Sequence, residues 1–157
     1  MRMYFLLNMY LSQIQRGIQS AHCALEYAEK YWDTPEYREF VTQHKTMILL
    51  NGGASFVESE IYPFEINSLN WDIHRLAENG IPFATFREPF IGNAVTAVCF
   101  LCSRKVYDKL AYPDFQEDES LDGDEMEESY DDWVSGVMGG DMKSVVLRGI
   151  ISGKSLA

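Results

Sequence analysis

Gln15, Gln19, His22 and Glu26 recur at spacings of 4, 3 and 4, so they form one polar column along a helix. Two amides, an imidazole and a carboxylate in such a column could hydrogen-bond a ligand at a sheet edge. The plainer alternative is a boundary column in which Glu26 satisfies His22 one turn away.

Other chemistries find less support in the spacing. His22 and Glu26 have no third metal ligand at a recognised interval, because His44 and His74 fall in other elements. Cys23 follows His22 directly, and helical neighbours diverge by about 100°, so the two do not form a nucleophile–base pair. "NGG" is too short for a phosphate-binding loop. Asp118, Ser120, Asp122, Gly123 and Asp124 fit the first positions of a calcium loop, but Ser129 stands where a bidentate Glu is required. No metal or cofactor is expected.

The column must sit on the helix predicted by "LSQIQRGIQSAHCALEYAEKYW". Its apolar set, Ile14, Ile18, Ala21, Leu25, Ala28 and Trp32, is expected to face the core. Before it, residues 3–11 read as a strand covered on both faces. "TPEYREFVTQHK" predicts a second helix with Thr34 as its cap and Pro35 in its first turn. "TMILLNGG" predicts a short strand and turn. Residues 54–67 read as an irregular connection whose Phe56, Ile61, Tyr62 and Phe64 should pack. "SLNWDIHRLAENGIP" predicts a helix with Leu69, Ile73, Leu76 and Ala77 inward, and "FATFR" and "AVTAVCFL" two further strands. The order predicts an α/β three-layer sandwich, a mixed sheet of about four strands with helices on both faces. A short helix in "KVYDKLAY" and an apolar closing element in "KSVVLRGIISGKSLA" should pack on it as one domain, so that residues 1–103 form the core and 104–157 an extension.

The formal charge of −11 is unevenly placed. Eleven acids and no base lie between residues 113 and 133, and the remaining 13 acids balance 13 Lys and Arg. A neutral body beside an acidic segment argues against avid nonspecific nucleic-acid binding. The segment reads as a solvated acidic loop with too few apolar residues to fold alone. Asp118, Asp122, Asp124 and Glu127 could instead mimic a phosphate backbone and engage a basic protein partner. Tyr130 and Trp133 would anchor that contact or dock the loop. Three cysteines without a disulfide framework point to a reducing, cytoplasmic setting, and period-two alternation sends Cys99 and Cys102 to opposite sheet faces. No apolar run is long enough to span a membrane.

Two blocks together, "LSQIQRGIQSAHCALEYAEKY" and "LAENGIPFATFREPFIGNAVTAVCFL", resemble the type 2 peptidyl-tRNA hydrolase family over about residues 3 to 102. Gln19 and His22 match the family's Gln and His, Thr96 falls on the threonine of its final strand, and Glu88 lies near its acidic-turn aspartate. The resemblance implies His22, Glu88 and Thr96 as catalytic groups and Gln15, Gln19 and Arg16 as ligand contacts. It also implies a tRNA-like end or small ligand as substrate, and a homodimer. The family's lysine is missing: Gln15 takes its place, and Arg16 faces another direction. A glutamine cannot offset the charge of a developing oxyanion, and losing one such stabiliser costs on the order of 10² to 10³ in rate. Hydrolase activity is therefore expected to be weak or lost. The alternative on the same scaffold is a non-enzymatic interaction or inhibitor protein acting through residues 114–132.

Overall fold

The computed structural model describes residues 1–55 and 68–157. The packing expected of Phe56, Ile61, Tyr62 and Phe64 lies outside the described residues. Strand β1 (Arg2–Leu7) is apolar from Met3 onward and buried on both faces. It ends at Asn8, short of the predicted residue 11, where the backbone turns and Met9 and Tyr10 are exposed. Helix α1 (Gln13–Tyr31) starts at Ser12, whose hydroxyl accepts from Gln15 N while the Gln15 side chain accepts from Ser12 N. This reciprocal cap satisfies two of the amides that a helix start leaves unpaired. Thr34 caps α2 (Pro35–Glu39), which runs on into a π-helical turn, Phe40–His44. Strand β2 (Met47–Asn51) follows and ends at Gly52. A Cβ at Gly52 would come within 2.4 Å of a Leu69 methyl and 2.9 Å of Leu6 Cβ, so only glycine fits between those two side chains.

After α3 (Leu69–Glu78), β3 (Phe83–Glu88) turns through Pro89–Ile91 into β4 (Ala94–Cys102). The short α4 (Arg104–Tyr107), α5 (Gly123–Gly136) and α6 (Met142–Ile151) complete the chain. The strand order is β2-β1-β4-β3, with β1 and β2 parallel and the other pairs antiparallel. The fold is the predicted α/β arrangement, a mixed four-stranded sheet between helical layers.

One layer holds α1, α2 and the π turn against Phe5, Leu7, Ala84, Ala97 and Cys99. The other holds α3, α4 and α6 against Leu6, Val98 and Phe100, with Val106, Leu147 and Ile150 in that same cluster. The residues after 103 thus build one face of the core. Residues 155–157 run antiparallel along the outer edge of β2, covering a row of otherwise unpaired backbone groups. No helix among the described residues is long and apolar enough to cross a membrane.

Three expectations are overturned. The apolar stripe of α1 does not face the sheet: Ile14, Ile18, Leu25 and Trp32 are 78%, 50%, 69% and 63% exposed. Gln19, Ser20, Cys23 and Tyr27 are the buried residues instead. Contact with the sheet is close here, since Cys23 Sγ lies 3.4 Å from the Ala84 carbonyl and Cys99 Sγ 3.3 Å from the Cys23 carbonyl. Small residues on both sides permit that approach, and Leu25, about 200° around the helix from Cys23, would not fit it.

The acidic segment is not a loop throughout. Asp122 and Glu125 form a second reciprocal cap, and Asp124 and Glu125 place negative charge at the positive end of α5. At α3, Asp72 is buried, whereas Ala77, expected inward, is exposed.

Candidate functional site

Three of the predicted residues converge at one end of the sheet. Gln19, on the buried face of α1, donates from Nε2 to Glu88 Oε2 at 3.0 Å, and its Oε1 lies 2.9 Å from the Thr96 hydroxyl. Thr96 is fully buried, and its hydroxyl is also 3.2 Å from the Phe86 carbonyl, so one proton is shared between two acceptors. Glu88 Oε1 accepts from Phe90 N at 3.4 Å, which caps the turn Pro89–Ile91.

A bulge explains how Thr96 reaches α1. Phe86 pairs with Ala97 but Arg87 pairs with Val95, which leaves Thr96 as the extra residue of β4. Val95 belongs to the core on the α3 face and Ala97 to the core on the α1 face, so Thr96 and Ala97 are turned to the same side. A strict alternation would have sent the hydroxyl away from Gln19.

His22 stands beside this chain. It is exposed, and its ring stacks on Phe86 with centroids 4.6 Å apart and planes inclined by 13°. No bond to Glu26 forms among the described residues, so the boundary-column alternative loses its partner for His22. Arg16 lies one turn before Gln19, half-buried, donating through Nη2 to the Met9 carbonyl at 3.2 Å. Its Nε is buried without a partner among the described residues. Next to Met9, Asn8 N donates to the Thr96 carbonyl, so the cation sits close to the strand that carries the hydroxyl. Gln15 is not brought in: it is exposed and its amide oxygen is spent on the Ser12 cap.

Phe86 and Asn8 are the residues that sequence reasoning missed. Asn8 was visible as the one polar residue breaking an apolar run; it is buried and donates through its side chain to Ser55 Oγ at 2.8 Å. Phe86 carried no signal beyond a strand pattern. A cavity of about 290 Å³ opens at the other end of the sheet, near Met1, Tyr27 and Leu101, and none of Gln19, Glu88 and Thr96 lines it.

The cysteines carry no nucleophile. All three are buried and free, and burial pushes the Cys99 and Cys102 thiols well above their ordinary range. Cys99 and Cys102 lie on opposite sheet faces as predicted.

In the acidic segment, Asp118 accepts from Ser120 N and Oγ, and Asp122 is the cap of α5. Asp124 and Glu127 are exposed. Tyr130 and Trp133 point toward the body, ringed with Phe115 at 5.2 and 6.0 Å, and Trp133 Nε1 donates to the Pro113 carbonyl at 2.9 Å. Their observed role is to dock α5. Among the described residues, no group of three or more His, Cys, Asp and Glu converges in a metal-binding arrangement. Compared with models of known protein families and with curated proteins, the chain matches none.

Proposed function

We propose that this chain is a type 2 peptidyl-tRNA hydrolase-like domain that binds a tRNA-like end or a small ligand at the Gln19–Glu88–Thr96 edge, with weak or lost ester hydrolysis. The observation that supports it is the single hydrogen-bonded chain Glu88–Gln19–Thr96, three residues from three elements meeting beside His22. In the hydrolytic step, a water attacks the ester carbonyl and Glu88 or His22 takes its proton. The carbonyl oxygen becomes an oxyanion, and collapse of that intermediate expels the ribose oxygen, which is then protonated. The second N–H of the Gln19 amide is the neutral donor for the oxyanion, while the Thr96 proton stays with Gln19 Oε1 and the Phe86 carbonyl and orients that amide. The Arg16 fork is turned to Met9, and position 15 supplies no charge.

The test uses an N-acetylaminoacyl-tRNA as probe. The wild-type protein should bind it and release the acyl group slowly, and Glu88→Gln should remove the residual release. Gln19→Ala, which removes the amide that joins Glu88 to Thr96, should weaken binding about tenfold, the cost of losing one buried hydrogen-bonding group. Absence of binding by the wild type, or unchanged binding by Gln19→Ala, overturns this reading.

A second reading, an interaction protein for a basic partner, is favoured by one feature. Asp124, Glu125, Glu127, Glu128, Asp131 and Asp132 are all exposed on α5, with no base among them.

A further inference from the structure

We propose that the cavity at the end of the sheet away from Gln19, Glu88 and Thr96 binds a small, neutral, planar ring that presents a donor beside an acceptor, as a carboxamide or a nucleobase edge does. The cavity has a volume of about 290 Å³. Ligand pockets begin at about 300 Å³, so this one suits a single ring with a short substituent.

Its walls come from four elements. The last turns of α1 give Tyr27 and Tyr31, the entry to β3 gives Ile81 and Pro82, β4 gives Leu101 and α6 gives Leu147. Apolar walls with two aromatic rings among them suit a flat ligand. The site is held in place without one: Tyr31 Oη donates to the Phe83 carbonyl at 3.2 Å, and the Tyr27 ring packs on Tyr31 with centroids 4.6 Å apart.

Two hydroxyls set the polarity of the ligand. Tyr27 is only 3% exposed, yet its hydroxyl has no hydrogen-bond partner among the described residues. Buried hydroxyls are nearly always paired, because an unpaired one forfeits its hydration for nothing. Burial first, then Cys99, Tyr31 and Glu36, push this phenol above its ordinary value, so it remains a donor. Ser103 supplies the acceptor. It precedes α4 but makes no side-chain capping bond, and its Oγ lies 3.3 Å from Ser144 Oγ instead. Ser144 gives its own proton to Asp141 Oδ2 at 2.8 Å, so the proton between the two serines comes from Ser103. Ser103 Oγ, which lines the cavity, keeps a lone pair for a ligand N–H.

Charge favours a neutral occupant. Asp141 accepts twice from Ser144 and faces Lys105 Nζ at 3.7 Å. Lys143 donates to the Gly80 carbonyl, and the Met1 ammonium faces Glu39 at 3.4 Å. Glu36 is exposed in the first turn of α2, where the helix dipole offsets it. Each ionic group around the cavity is thus already matched, and none is left to hold an ion.

Isothermal titration of the full chain with nicotinamide and with uracil tests this. At least one should bind once per chain with a Kd of about 1 mM or tighter, and which of them does so tells a carboxamide site from a nucleobase site. Toluene, which lacks the polar edge, and benzoate, which replaces the N–H with a charge, should each bind at least about tenfold more weakly. Tyr27→Phe keeps the ring and removes only the hydroxyl. It should weaken binding about tenfold while melting at or above the wild-type temperature, since the hydroxyl it loses pairs with nothing in the folded chain. Ser103→Ala should weaken binding to a similar extent. Failure of both nicotinamide and uracil to bind, leaving a cavity that holds water only, overturns the proposal. Equal binding of toluene or benzoate overturns it too, as does unchanged binding by Tyr27→Phe.

Discussion

At the scale of single residues, burial competes with pairing, and Asp72 shows which wins. Its Oδ2 lies 2.8 Å from Lys154 Nζ, and both side chains are largely hidden from solvent. Burial nevertheless raises the carboxyl above its ordinary value, against the opposing pull of Lys154 and Arg75. A carboxyl raised in the folded state holds its proton more tightly there than in the unfolded chain, so folding is helped most below the ordinary value of 3.8. That help is lost as pH rises through the folded value. The unfolding free energy of wild type minus that of Asp72→Asn should therefore be most positive at the acid end. It should fall as pH climbs from about 4 toward neutrality, read by urea denaturation across a pH series. A difference that grows with pH would mean that the ion pair outweighs burial. The pairing itself, between α3 and the tail beyond α6, had no signal in the sequence, because the two residues are separated by most of the second half of the chain.

At the scale of elements, α1 and α5 carry the lesson. Helix α1 has two columns of helical period. Hydrophobicity alone assigns the larger apolar one to the core. The sheet chose otherwise, because Ala84, Ala97 and Cys99 present a shallow surface that only small residues such as Ser20 and Cys23 can approach closely. Helix α5 reads as loop because it is nearly all acid on one side, yet Tyr130, Trp133 and Val134 give it a docking face, continued by Met138 just past its end. Its exposed carboxylates make a direct prediction. Neutralising Asp124, Glu127, Glu128 and Asp131 to their amides should weaken capture of a polylysine probe severalfold at low salt and leave helix content unchanged, measured by titration and circular dichroism. Equal binding by the neutralised protein would remove α5 as an electrostatic surface.

At the scale of the whole molecule, the sheet needs a helical layer on each face, and the chain supplies one from its N-terminal part and the other from α3 together with the residues after 103. Residues 1–55 provide α1, α2 and the π turn. Residues 104–157 provide α4 and α6, whose Val106, Leu147 and Ile150 cover Leu6, Val98 and Phe100. Arg148, buried, binds the Lys105 carbonyl, Asp114 and the Tyr112 carbonyl and ties the extension together. A chain ended after residue 103 would expose that face. It should show no cooperative thermal transition by calorimetry and should associate through the bare patch. A truncated protein that melts sharply would show that residues 1–103 stand alone.

Strand and helix order up to residue 103, the mixed α/β class and the opposite facing of Cys99 and Cys102 were legible in the sequence, because alternation and helical period are local properties of the chain. The meeting of Gln19 with Thr96 was not: it depends on a bulge that adds one residue to β4 and turns a side chain over. Which face of α1 is buried was also beyond the sequence, since the face that meets the sheet is neither column and takes only Gln19 from the polar one; the shape of the opposing sheet selects it. The sequence by itself determined that α1 has one greasy and one polar column. Tertiary packing alone decided that a third face, Gln19, Ser20, Cys23 and Tyr27, meets the sheet, so that Gln19 alone of the polar column reaches Glu88 and Thr96 and the greasy column is left facing solvent, because close approach to a small-residue surface is a matter of steric fit rather than of hydrophobicity.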